Sequence, residues 1–203
     1  MLRKMLPAVV VGTLLFGGVG YGEKMKTSIA SALLSTEPLT RQAAFDQVVG
    51  ERKTTVQELI SILGRSNVDR LYQGPLHRAI VLLGELRAKE AVAPLSGLLS
   101  YVPQDFETEE QIPTEAYYVA TVALVEIGFP AIEAMLAKIR NADDKLEREL
   151  AAWVIMEIEG KEQALNRIEA LTRRAAARTT GRFQGAARYI ETYEPTFEPP
   201  SPE

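Results

Sequence analysis

Three stretches of this chain can be laid over one another: LLGELRAKEAVAPLSGLL (82–99), ALVEIGFPAIEAMLAKI (123–139) and VIMEIEGKEQALNRIEAL (154–171). In each, an apolar helical stripe ends in Glu85-Leu86, Glu126-Ile127 or Glu157-Ile158, a short turn follows, and a second amphipathic helix begins. The glutamates lie 41 and 31 residues apart, and the longer interval holds the segment 102–113. One short helix pair cannot bury its own apolar face, so recurrence of pairs means that each buries its face on the next. QVVGERKTTVQELISIL (47–63) fits the pattern loosely and lacks the glutamate.

The apolar spacing is three to four residues throughout, with no strand alternation. It predicts four helix pairs: 38–49 with 54–64, 75–87 with 90–101, 114–127 with 130–140, and 144–159 with 161–178. Val56, Leu59, Ile60 and Leu63 make one stripe, and Thr54 with Gln57 reads as a capping box at its start. Pro75 and Pro130 suit first helical turns, where no amide donor is needed. Residues 114–127 are apolar nearly all round, as in a helix buried on most sides. Asp144 with Glu147 reads as a cap ahead of the stripe Leu146, Leu150, Trp153, Val154 and Ile158. Gly181 and Gly185 suggest a break, followed by a short helix near 186–193.

Leu83-Gly84-Glu85-Leu86 followed by Ala91-Val92-Ala93-Pro94-Leu95 resembles the core of the short bacterial HEAT repeats. The resemblance covers about 38–172. It implies an all-α fold, an α-solenoid of about four antiparallel helix pairs in a right-handed stack, with the second helices lining a concave, protein-binding side. Unit three departs from the pattern in its compressed turn, and unit one in lacking the glutamate. Two HEAT-like enzyme families offer precedents. Deoxyhypusine hydroxylases use repeated His-Glu pairs, which a chain with one histidine, His77, not followed by glutamate, lacks. A phycobilin-lyase-like helper rests on general repeat similarity alone.

The chain opens with Arg3 and Lys4, an uncharged apolar run from Leu6 to Val19, and small residues at Gly20 and Gly22. That is the layout of a secretory signal over 1–22. The run has 14 residues, against the roughly 20 of a spanning helix. Cleavage is the expectation, with an uncleaved anchor as the alternative. A linker or short helix covers 23–37, the repeats 38–178, a C-terminal extension 179–193, and a Pro/Glu-rich tail 194–203.

Cysteine is absent, which excludes disulfides, thiolate nucleophiles, zinc fingers and iron–sulfur clusters. A single histidine leaves no multi-histidine metal site. Glu85, Glu126 and Glu157 read as solvated residues at equivalent turns, because neighbouring repeats lie about 10 Å apart while hard cations need oxygens converging at about 2.5 Å. The expectation is a non-enzymatic binding scaffold that uses no cofactor or metal. It acts outside the cytoplasm, in the periplasm or beyond it, on a protein partner. A net charge of −4 argues against nucleic acid, and a membrane enters only if residues 1–22 are retained.

Three places are candidates for partner binding. The loop VPQDFETEEQIP (102–113) interrupts a compact array and offers Phe106 as an anchor beside Glu107 and Glu109. The second helices offer a mixed-charge surface that includes Gln57, Glu58, Ser61, Glu133, Lys138, Asn166 and Arg167. The last helix is rich in arginine, with Arg173, Arg174, Arg178, Arg182 and Arg188.

Overall fold

The computed structural model describes residues 32–35, 37–65, 73–103 and 113–196. All regular structure among them is helical, with no strand. The elements are α1 (Pro38–Arg65), α2 (Gln73–Glu85), α3 (Val92–Ser96), α4 (Val119–Ile127), α5 (Ile132–Asn141), α6 (Lys145–Glu159), α7 (Lys161–Arg174) and α8 (Ala177–Thr192). Short 3-10 turns at Lys89–Ala91, Thr114–Tyr117 and Phe129–Ala131 lead into α3, α4 and α5.

The helices lie in two rows. In the first, α2 packs on α4 and α4 on α6. In the second, α3 packs on α5, and α1 borders both α2 and α3. The place beside α5 that a regular array would give to α7 is taken by α8, which packs on α5, α6 and α7 together. One core runs through both rows, from Val56 on α1 to Ile190 on α8.

Gly84 sets the closeness of α2 to α4. A Cβ placed there would stand 2.8 Å from the Ala123 Cα and would also strike the Glu126 carboxylate. The turns that follow α2, α4 and α6 share one backbone feature. Each of the three places one residue at positive φ: Arg87 at 47°, Gly128 at 80° and Gly160 at 84°. Two of the three positions carry glycine, the residue that adopts this region without a Cβ penalty.

The helix boundaries differ from the sequence expectation in five places. The segments 38–49 and 54–64 form one 28-residue helix, so Thr54 and Gln57 lie inside α1 and cap nothing. Burial of Thr55, Val56, Leu59 and Leu63 along one side carries the helix through the threonine pair. The predicted helix 90–101 shortens to α3, where the Ser96 hydroxyl donates back to the Ala93 carbonyl and Gly97 follows, two residues that extend a helix poorly. The predicted helix 114–127 is broken at Tyr118, which sits at φ −83°, ψ 83°. Thr121 stitches that break, its hydroxyl placed 2.7 Å from both the Glu115 and the Tyr118 carbonyls.

At the C-terminus, α7 ends at Arg174, and α8 runs 16 residues straight through Gly181 and Gly185. Burial of Phe183, Ala186 and Ile190 on one face of α8 outweighs the low helix propensity of the two glycines. The expected boundary at 178 therefore falls within α8. Asp144 caps α6 as expected, its Oδ1 accepting from the Leu146 amide at 2.8 Å. Leu146 itself is 37% exposed rather than part of the buried stripe.

Candidate functional site

The second-helix surface is built from internal pairs. Lys138 on α5 donates to Glu147 on α6 at 3.0 Å, both side chains about one-fifth exposed. Arg167 on α7 grips Glu159 with two donors, at 2.8 and 2.6 Å, and Glu159 is 5% exposed. This fork holds the guanidinium more firmly in its charged form, with the Glu133 carboxylate adding to the effect. Glu133 and Asn166 are exposed. Of these four residues, Lys138 and Arg167 therefore serve chiefly to join neighbouring helices. Arg174 and Arg178 stand exposed on either side of the α7–α8 turn, with no ion pair among the described residues. Phe106, Glu107 and Glu109 lie outside the described residues, as does the signal layout over 1–22.

Two of the turn glutamates, Glu126 and Glu157, are partly shielded from solvent and each feels a second carboxylate. Partial burial raises the pKa of Glu126, and the Glu85 charge raises it further, against an opposing pull from Arg87. Burial also raises Glu157, and the Glu115 charge adds to it. Among the described residues, no group of three or more carboxylates or imidazoles is placed to hold a metal ion. His77 sits half-buried near the start of α2.

A polar clasp, absent from the sequence expectation, joins the 3-10 turn before α4 to the end of α8. Tyr189 donates to Glu115 Oε1 at 2.5 Å and Tyr193 to Glu115 Oε2 at 3.1 Å. The Trp153 indole on α6 donates to the Tyr193 oxygen at 3.0 Å. Beyond them, the Thr114 amide and hydroxyl both reach the Thr196 carbonyl, at 2.7 and 3.0 Å. Lys161 donates to the Glu191 carbonyl at 2.9 Å. Burial, reinforced by the hydrogen bond to Glu115, pushes the Tyr189 hydroxyl well above its ordinary pKa. Burial also pushes Tyr193 up, to about 12, despite the opposing hydrogen bond from Trp153. The tyrosines are thus neutral donors to one carboxylate over the whole physiological range. The sequence signal was the aromatic spacing Tyr189-x-x-x-Tyr193, one helical turn apart. Its acidic partner lies 74 residues away and carries no local mark.

Two open grooves flank α8. One, of about 430 Å³, runs between α7 and α8 past Glu169, Arg173, Gln184 and Glu191. The other, of about 390 Å³, runs between α6 and α8. Its walls carry Lys145, Arg148, Arg182 and Arg188 against one carboxylate, Glu149, with Gly181 and Gly185 on its α8 side. Arg188 borders both grooves.

The cations of the α6–α8 groove are held in different ways. Arg148 donates to the carbonyls of Ala142 and Asp143, at 2.9 and 2.7 Å. Those neutral acceptors fix the guanidinium without cancelling its charge. Arg182 donates to the Arg140 carbonyl and to Asp143 Oδ1, each at 2.7 Å. Lys145 pairs with Glu149 at 3.0 Å. Arg188 is exposed and makes no side-chain bond to the described residues. The basic surface expected of the last helix is therefore sorted into paired cations, such as Arg182, and cations without an ion pair among the described residues, of which Arg188 lines this groove while Arg174 and Arg178 stand at the α7–α8 turn.

No single helix among the described residues is long and apolar enough to cross a membrane. No protein-family model, no curated protein and no solved structure matches the chain.

Proposed function

We propose that the protein is a non-enzymatic binding scaffold, a right-handed α-solenoid of HEAT-like helix pairs acting on a protein partner outside the cytoplasm. One observation carries the reading: α2, α4 and α6 pack in succession, and each has a glutamate within two residues of its end (Glu85, Glu126, Glu157) and a positive-φ residue in the turn that follows. Repetition of one turn along a row makes an extended surface rather than a closed pocket, and such surfaces suit protein recognition. The layout of residues 1–22 supports export. The alternative is that the same surface is tethered to a membrane by a retained N-terminus; the 14-residue apolar run, against the roughly 20 of a spanning helix, favours cleavage over that tether.

Crosslinking mass spectrometry in intact cells, joined to fractionation, tests both readings. The scaffold reading expects crosslinks from surface lysines such as Lys145 or Lys161 to a second protein in the extracytoplasmic fraction. Crosslinks confined to the chain itself would count against it. An N-terminal residue at or near Glu23 assigns export with cleavage, and Met1 assigns the tether.

A further inference from the structure

We infer that the groove between α6 and α8 is the docking site for an extended acidic segment of the protein partner, a step that rests on the scaffold reading. Four cations line it; Lys145 and Arg182 are paired with Glu149 and Asp143, which leaves Arg148 and Arg188 as two uncancelled positive charges in a chain whose net charge is −4. That concentration of positive charge runs against the overall balance of the molecule and steers an acidic partner to one place.

Two of the cations, Arg148 and Arg182, are also preorganised. Arg148 is fixed by two backbone carbonyls, so its orientation is set before a ligand arrives and its charge stays uncancelled. A guanidinium has five N–H groups, so Arg148 and Arg182 both keep donors to spare. Arg188, opposite, has no bond to surrender. Side chains fixed in advance lose less entropy on binding than free surface lysines.

The dimensions select the kind of ligand. The lining residues on α8 run from Gly181 to Thr192, which at 1.5 Å per residue spans about 16 Å. An extended peptide advances about 3.3 Å per residue, so roughly five residues fill that length. A single phosphate or sulfate would meet only one end. A Cβ built on Gly181 or Gly185 meets nothing within 4 Å, so a backbone can lie close against α8 there. Tyr189 and Thr192 continue the wall and offer apolar contact and a hydroxyl.

The test uses the full chain and a fluorescein-labelled hexaglutamate peptide, read by fluorescence anisotropy. The expected result is saturable binding that weakens as salt rises. Gly185→Leu fills the groove and leaves every charge in place, while Arg188→Glu keeps the shape and reverses one charge. Each is expected to weaken binding about tenfold or more. Lys53→Glu, an exposed change on α1 far along the chain, is expected to leave it unchanged.

Circular dichroism checks that the variants fold. Should Gly185→Leu misfold, Arg188→Glu decides alone. Equal binding by the groove variants and the parent would overturn the assignment. So would displacement of the peptide by inorganic phosphate at equal charge concentration, which would make this a small-anion site. Tighter binding in a Glu198→Gln/Glu203→Gln variant would assign the groove to the chain's own C-terminus and overturn a partner's claim to it. Partner crosslinks in cells together with no peptide binding would remove the groove assignment and leave the scaffold reading standing.

Discussion

At Gly84 the absence of one methyl group sets the distance between two helices. Gly84→Ala would drive a Cβ to 2.8 Å from the Ala123 backbone, which cannot move without shifting α4. The expected loss is about 1–3 kcal/mol, typical of overpacking, measured by urea unfolding. Gly181→Ala is the contrasting case, because that position faces open space inside a helix. It is expected to gain up to about 1 kcal/mol from helix propensity alone. The coupled glutamates act through pH. Glu126 titrates above its ordinary 4.5 when folded, so the native state holds its proton to higher pH than the unfolded chain does. Stability from this group is present below pH 4.5 and is lost as pH rises through the raised folded value. Glu126→Gln is therefore expected to raise the melting temperature at neutral pH, with an advantage that vanishes below pH 4.5. A pH-independent difference would show that burial and the Glu85 charge do not raise Glu126 as described.

Among the elements, α8 carries most of what is distinctive. It is anchored by apolar burial on one side and by two tyrosine hydroxyls converging on Glu115 at its end. Glu115→Ala would leave the half-buried Tyr189 hydroxyl without its acceptor, at a cost of about 1–3 kcal/mol. Hydrogen exchange should then quicken in α8 before it quickens in α4 or α6. The clasp also contains the only tryptophan, so fluorescence reports on it directly. Tyr193 ionises at about 12 when folded against an ordinary 10.0, so its contribution is complete below pH 10 and disappears as pH climbs through 12. Trp153 emission should shift to the red across that interval, and Tyr193→Phe should remove the transition.

This element was also the least legible in the sequence. The stripes of α2, α4 and α6 repeat at helical spacing, each with a glutamate near its end, so they could be read directly. In α8 the local signal misleads, since two glycines argue for a break that long-range burial of Phe183, Ala186 and Ile190 overrides. The same holds for α1, where Thr54 looked like a cap and the core carried the helix past it. The candidate binding residues were legible as charges but not as pairs. That Arg167 is committed to Glu159 depends on how α7 returns along α6, whereas the freedom of Arg188 depends on what fails to reach it.

For the whole molecule, the point of comparison is a simple array of helix pairs, whose ends are weakest because each end has one neighbour. Here α8 wedges between α5 and α7 and is then tied back to the turn before α4. The expected outcome is that native-state hydrogen exchange shows the C-terminal half opening as one unit rather than fraying from Thr192 inward. Progressive exchange from the C-terminus would contradict that picture. The tie at Thr114 and Thr196 joins residues 82 positions apart. Mechanically it is a latch across a closed ring. Tension applied beyond residue 196 would reach the turn at 114–117 before it could peel α8 from its neighbours. In an optical trap, the latch should rupture first with little extension, and the helices inside the ring should then lengthen the chain in one large step.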